Sequence, residues 1–184
     1  MHRARSILTV LFLLGSLAGA KPAIASENPS PTAMRSNPSP SWEMSREVNV
    51  LRRVAIALAA GSDAMQALRG SPIADDNRDK LQPAMPGMDC GIERTLSYVA
   101  CYSASLDNQK EAEAVFTRLI DDVQAALPSG SWRPVKAVPD TGSVRSISYQ
   151  DQKSSAKIDV DLVGQPTLDT HPLYFVRVFG WTGF

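Results

Sequence analysis

Apolar residues recur along Asn108–Leu127 at three- and four-residue steps. Ala112, Val115, Phe116, Leu119, Ile120, Val123 and Leu127 form one stripe of a 3.6-residue helix. Lys110, Glu111, Glu113, Arg118, Asp121 and Asp122 fall largely off that stripe. Asn108 suits the N-cap, with Glu111 in the reciprocal position of a capping box, and Pro128 and Gly130 close the element. A second helical pattern covers Glu43–Arg69. Val48, Leu51, Val54, Ala55 and Leu58 share a face that Met65 and Leu68 continue across Gly61. A glycine there costs a helix about 1 kcal/mol relative to alanine, and Ser62 and Asp63 can cap a separate short helix.

The period then changes to two. Leu96, Tyr98, Ala100 and Tyr102 alternate with Thr95, Ser97, Val99, Cys101 and Ser103, which predicts a strand leading into the main helix. After that helix come three further strand-like runs, Val144–Gln150, Ala156–Val163 and Leu173–Trp181. In the second of these, alternation sets Ile158, Val160 and Leu162 toward the helices and Lys157, Asp159 and Asp161 outward. The last run is apolar on both sides and interrupted by Arg177, the composition of a central or partly covered strand. Residues 71–89 hold Pro72, Pro83, Pro86 and Gly87 without a period and read as a long loop; residues 131–141 read as a connection. The expected architecture is therefore a single α+β domain. It has an antiparallel-rich four-stranded sheet with two helices packed on one face, in the order α-β-α-β-β-β.

The N-terminus lies outside this pattern. Arg3 and Arg5 precede an apolar run, Ile7–Leu17, that is too short to cross a bilayer comfortably, and Ala23-Ile24-Ala25 is a small-x-small cleavage site. Residues 1–25 read as a secretory signal peptide cut after Ala25, which places the mature chain in the periplasm or outside the cell. Residues 26–42 begin with a proline- and serine-rich leader, four prolines among polar residues, that cannot bury enough apolar surface to offset its ordering entropy. The exported domain is expected over residues 43–184, long enough for a real core. No later segment has the apolar length of a membrane span.

Charge narrows the choice of partners. The chain holds 19 basic and 19 acidic residues; residues 1–25 carry three of the basic ones and no acid, so the mature chain has 16 against 19, a formal charge of −3. A mildly acidic chain lacks the basic footprint of a nucleic-acid partner.

Cys90 and Cys101 are the two cysteines of a chain routed to an oxidising compartment, so a disulfide is expected. A continuous helix would hold their Cα atoms roughly 16 Å apart, whereas a disulfide needs them within about 7 Å. The chain must fold back between them. Once joined they offer no thiolate. The mature chain then retains His171 as its one histidine, before Pro172 in the connection between the last two strands. Asp159 and Asp161 form a D-x-D on one strand face, suited to a divalent ion or a substrate, and equally to cross-strand pairing with Arg145 or Arg177. Trp132, Trp181 and Phe184 are candidates for an aromatic contact surface, although a tail with three aromatics in six residues, Phe179, Trp181 and Phe184, more often packs into the core. The candidate binding surface is therefore Asp159, Asp161, Arg145, Arg177, His171 and Trp132. No motif of a cofactor or metal site stands out, and no cofactor is expected.

These patterns favour an exported, soluble, non-catalytic binding or structural protein that contacts another protein in the cell envelope, by the outer face of the sheet or the 71–89 segment. The rival readings are an enzyme using an Asp/His cleft and a binder of a small ligand between sheet and helices.

Overall fold

The computed structural model describes residues 44–96, 98–167 and 171–183. The segment read as a signal peptide, the leader with Trp42, and Phe184 lie outside the described residues. The described chain runs α1 (Arg46–Ala60), α2 (Ser62–Gln66), β1 (Arg69–Pro72), β2 (Arg78–Leu81), β3 (Met88–Glu93), β4 (Tyr98–Ser103), α3 (Gln109–Ala126), β5 (Trp132–Val135), β6 (Ser143–Asp151), β7 (Lys157–Gln165) and β8 (Leu173–Trp181).

The strands form one eight-stranded sheet in the order β1-β2-β3-β4-β8-β7-β6-β5, every neighbouring pair antiparallel. This corrects the expected four-stranded sheet with two helices: the described residues form eight strands and three helices, and sheet predominates. The 71–89 segment holds the end of β1, all of β2 and the start of β3, and the 131–141 connection opens with β5. These pieces escape a period-based reading because they are short and polar: Arg-Gly-Ser-Pro, Arg-Asp-Lys-Leu and Trp-Arg-Pro-Val have no apolar alternation to read. Tertiary pairing holds them as strands. The two edge strands each carry a proline, Pro72 and Pro134, which withholds an N–H from any further strand. The strand before the main helix, β4, pairs antiparallel with the last strand, Tyr98 opposite Trp181 and Tyr102 opposite Arg177.

The topology is palindromic. A helical segment followed by a four-strand meander occurs twice, and the two meanders meet at their last strands, β4 and β8.

The long helices form where the stripes predict them. Ser45 Oγ accepts the Val48 N–H at 3.2 Å to cap α1, and Gly61, at φ +102°, separates α1 from α2. Asn108 Oδ1 accepts the Lys110 N–H at 2.8 Å to cap α3. α1 and α3 pack on each other, α3 also on β7 and β8 and α1 on β8. Leu58, Phe116, Val123, Ile92, Val99, Ile158, Leu162 and Val176 are fully buried between the layers, each large side chain contributing about 1.5–3 kcal/mol. α1 comes so close to β8 that a Cβ on Gly180 would lie 2.5 Å from Leu58 Cδ1. Any side chain at this position would have to displace Leu58.

Cys90 and Cys101 face each other across β3 and β4 with Cα atoms 4.0 Å apart, and they are joined as a disulfide. The fold-back begins with the turn at residues 94–96, tied down by Glu93. Its buried carboxylate accepts from the backbone N–H of Thr95 at 2.7 Å, from the Leu96 N–H, from Thr95 Oγ1 and from the Asn77 amide.

Candidate functional site

With the helices covering one face of the sheet, the other face of β3, β4, β8, β7 and β6 remains. Alternation decides what stands on it. Cys101 and Val178 form one cross-strand pair toward the helices, so the flanking pairs put Tyr102 beside Arg177 and Ala100 beside Phe179 on the outer side. β7 adds Lys157 opposite Trp181, Asp159 opposite Phe179 and Asp161 opposite Arg177. β6 adds Ser148 opposite Asp159 and Ser146 opposite Asp161.

The centre of this face is a row of aromatic rings, each half-buried. Phe175 and Tyr102 have ring centres 6.3 Å apart, Tyr102 and Phe179 5.9 Å, and Phe179 and Tyr98 6.2 Å; the last two contacts are edge-to-face. Such pairs add about 0.5–1.5 kcal/mol beyond simple burial. Trp181 extends the row at the Tyr98 end. There Leu96, Tyr98, Phe179, Trp181 and Thr182 line an open, mostly apolar hollow of 450 Å³. Leu96 is 71% exposed, so the hollow has an apolar rim as well as an apolar floor.

Cations stand among the rings. Arg177 lies 5.0 Å from the Phe179 centroid, Lys157 5.1 Å from Trp181 and Arg78 5.8 Å from Tyr102. Each is also paired with a carboxylate. Arg177 Nε donates to Asp161 at 2.9 Å, and its Nη2 reaches Asp140 at 3.0 Å and Ser143 Oγ at 3.3 Å. Lys157 Nζ lies 3.3 Å from Asp159, and Arg78 donates to Asp76 at 2.6 and 2.9 Å. The Thr141 N–H, followed by Arg177, holds Asp140 below the usual carboxylate range; the Arg78 guanidinium does the same for Asp76. Burial raises the Tyr102 phenol above its ordinary value, against the opposing pull of Arg78, so at neutral pH it is a hydroxyl donor. Ser146 and Ser148 hold buried hydroxyls that meet no hydrogen-bond partner among the described residues.

Two segments border the face. Ile73, in the β1–β2 connection, comes over Gly91, whose missing Cβ would lie 3.2 Å from Ile73 Cδ1 and 2.9 Å from Arg78 Cβ. On the other side Asp140, in the β5–β6 connection, reaches in to Arg177.

The six residues proposed from the sequence separate. Asp159, Asp161 and Arg177 come together on the outer face, Asp161 and Arg177 as a buried ion pair. Arg145 stands opposite Leu162 on the helix side, its guanidinium 5.0 Å from the Phe116 ring. Trp132 is buried and borders a separate hollow of 310 Å³ with Gln124, Pro128 and Tyr149. His171 is exposed in the β7–β8 connection. The 71–89 segment contributes to a cleft of 690 Å³ where Arg53, Lys80 and Asp89 bring charges of both signs among Pro83, Met85 and Met88.

The face holds more than the sequence reading assigned to it. Tyr98, Tyr102 and Phe175 were visible only as alternating members of two strands lying far apart in the chain. Their signal was period-two aromatics on strands; what no local pattern contains is that β4 and β8 are neighbours.

Chemically, the carboxylates here are engaged by cations and the cysteines are joined, while the rings present apolar area with polar tips. That composition, tyrosine, tryptophan and arginine in a packed cluster, is the one that carries binding energy at protein interfaces. Comparison with protein-family models, with curated proteins and with solved structures finds no match.

Proposed function

We propose that the mature chain is an exported, non-catalytic binding module that docks a protein of the cell envelope on the outer face of its sheet. The observation that carries this reading is the half-buried aromatic row Phe175–Tyr102–Phe179–Tyr98 with Trp181 at its end. Aromatic side chains left half-covered on a sheet face cost the free protein apolar exposure that a partner recovers. The pairing of each cation with a carboxylate supports binding over acid–base chemistry, because Asp159 and Asp161 are committed to Lys157 and Arg177. The signal-peptide pattern of residues 1–25 supports export.

The test is affinity capture from cell-envelope extract, with the mature chain as bait and a Phe179→Ala variant beside it. A stoichiometric protein partner is expected with the first and not with the second, while the variant still melts cooperatively. Equal capture by both would move the interface elsewhere, and repeated recovery of nothing would count against a binding role.

A further inference from the structure

We infer that the cleft at the β2–β3 connection is a second binding site, one that takes a short peptide by its free carboxylate and its free ammonium together. The cleft belongs to the 71–89 segment and does not depend on the aromatic row. Its volume of 690 Å³ falls within the range of about 300–1,000 Å³ usual for small-molecule sites. Charge selects the class of ligand. On the outer face the cations Arg78, Lys157 and Arg177 are held by Asp76, Asp159 and Asp161. In the cleft, Arg53, Lys80 and Asp89 form no ion pair and no side-chain hydrogen bond among the described residues. Arg78 is near enough to feel Asp89 but is bonded to Asp76. The fold keeps the three apart. Lys80 stands opposite Gly91, two positions along β3 from Asp89, and Arg53 comes from α1. Charges of both signs held separately in one concavity complement a ligand that carries both signs. A carboxylate fits between Lys80 and the planar fork of Arg53, and an ammonium fits at Asp89. A purely anionic ligand would leave Asp89 unpaired, and a purely cationic one would meet Arg53 and Lys80. A single amino acid joins its two charges through one carbon, whereas a peptide separates them by about 3.3 Å per residue and can reach groups supplied by a helix and a strand. The walls select an apolar body for that peptide. Met85 is buried beneath the cleft and Met88 is half-buried beside it, and thioether side chains adapt to apolar groups of different shape. The site is also formed in advance. Cys90, on its border, is tied to Cys101, and the Met88 N–H donates to the Met85 carbonyl at 3.3 Å, so a ligand orders little of the protein on binding.

The experiment is a titration of the ¹⁵N-labelled mature chain with the tripeptide Leu-Ala-Leu in three forms: both ends free, N-acetylated and C-amidated. Saturable shifts of the Lys80, Gln82, Met88 and Asp89 amides are expected with the free tripeptide. Either blocked form should bind about tenfold more weakly, because each has lost one charge-assisted bond. Two variants assign the ends. Asp89→Asn should weaken the free tripeptide about tenfold and leave the acetylated form unchanged. Arg53→Gln should weaken the free tripeptide likewise and leave the amidated form unchanged. Both side chains are exposed, so neither substitution removes a core contact. Phe179→Ala, on the aromatic row, should leave tripeptide binding as it is, whatever it does to capture of an envelope protein. The inference is overturned if the free tripeptide gives no saturable shifts, or if it binds no better than one of the blocked forms. It is overturned as well if the shifts fall on Tyr98 and Phe179 and vanish with Phe179→Ala, which would put the peptide on the outer face instead of in the cleft.

Discussion

Glu93 and Asp151 are buried carboxylates that organise turns, and both answer to pH in the same direction. Burial by itself would raise each pKa. For Glu93 it is outweighed by hydrogen bonds from the Thr95 hydroxyl and from the Leu96 and Thr95 amides; for Asp151, by those from the Ser154 amide and hydroxyl, the Ser131 hydroxyl and the Lys153 amide. Both carboxyls therefore titrate below the ordinary carboxylate range in the folded chain. The unfolded chain, whose carboxyls titrate near pH 4, binds more protons than the folded one in the interval between the two values. The stability these groups provide is fully present above about pH 4 and is lost as pH falls through their folded values. Thermal melting followed by circular dichroism should give a level midpoint between about pH 5 and 7 and a fall below about pH 4. The double variant Glu93→Gln, Asp151→Asn should melt lower at pH 7 and show a shallower acid slope. A wild-type slope in that variant would assign the acid sensitivity to other carboxylates.

Among the elements, α1 and α3 were legible because their stripes run over many turns, and β7 and β8 because nine residues each give alternation room to show. β1, β2 and β5 have four residues each and are held by partners distant in sequence. Arg69 reaches the carbonyls of Glu93 and Arg94, and Asp79 pairs with both Arg69 and Arg94. The same limit explains the site. The outward set of Asp159, Asp161 and Arg177 follows from alternation, but Arg145 does not join it. In the regular part of the β6–β7 register it stands opposite Leu162, on the same side as Ile147 and Tyr149, and lies over Phe116. The β3–β4 hairpin is the element where a covalent link can be tested. Cys90 and Cys101 are 11 residues apart, and closing so short a loop stabilises by about 2–3 kcal/mol in the chain-entropy model. Replacing both by alanine should lower the denaturant midpoint accordingly without changing the slope of the transition. A changed slope would mean that the disulfide also holds residual structure in the unfolded chain.

At the scale of the whole molecule, the palindromic sheet raises the question of whether its two halves are stable alone. The described residues form one compact unit. Each half, a helical segment with its meander, would expose along β4 or β8 the open edge of a central strand. Each would also lose the packing of α1 against α3. Those two losses fall on the most buried residues of the molecule, Val99 on β4, Val176 and Val178 on β8, and Leu58 and Phe116 on the helices. Neither half therefore retains a closed core when the other unfolds, and the described domain should unfold as a single cooperative unit although its chain is a repeated pattern. Hydrogen exchange on the native protein provides the measurement. The amides of β4, β8 and β7 should exchange only through global opening, with equal free energies on both sides of the β4–β8 seam. Those of the short edge strands β1 and β5 should exchange earlier, by local fraying. If β1–β4 exchanged as a block at a lower free energy than β5–β8, the halves would be separate folding units and the seam between them an interface. In that case removing the disulfide would lower the stability of the first block alone, a second and independent sign of the same division.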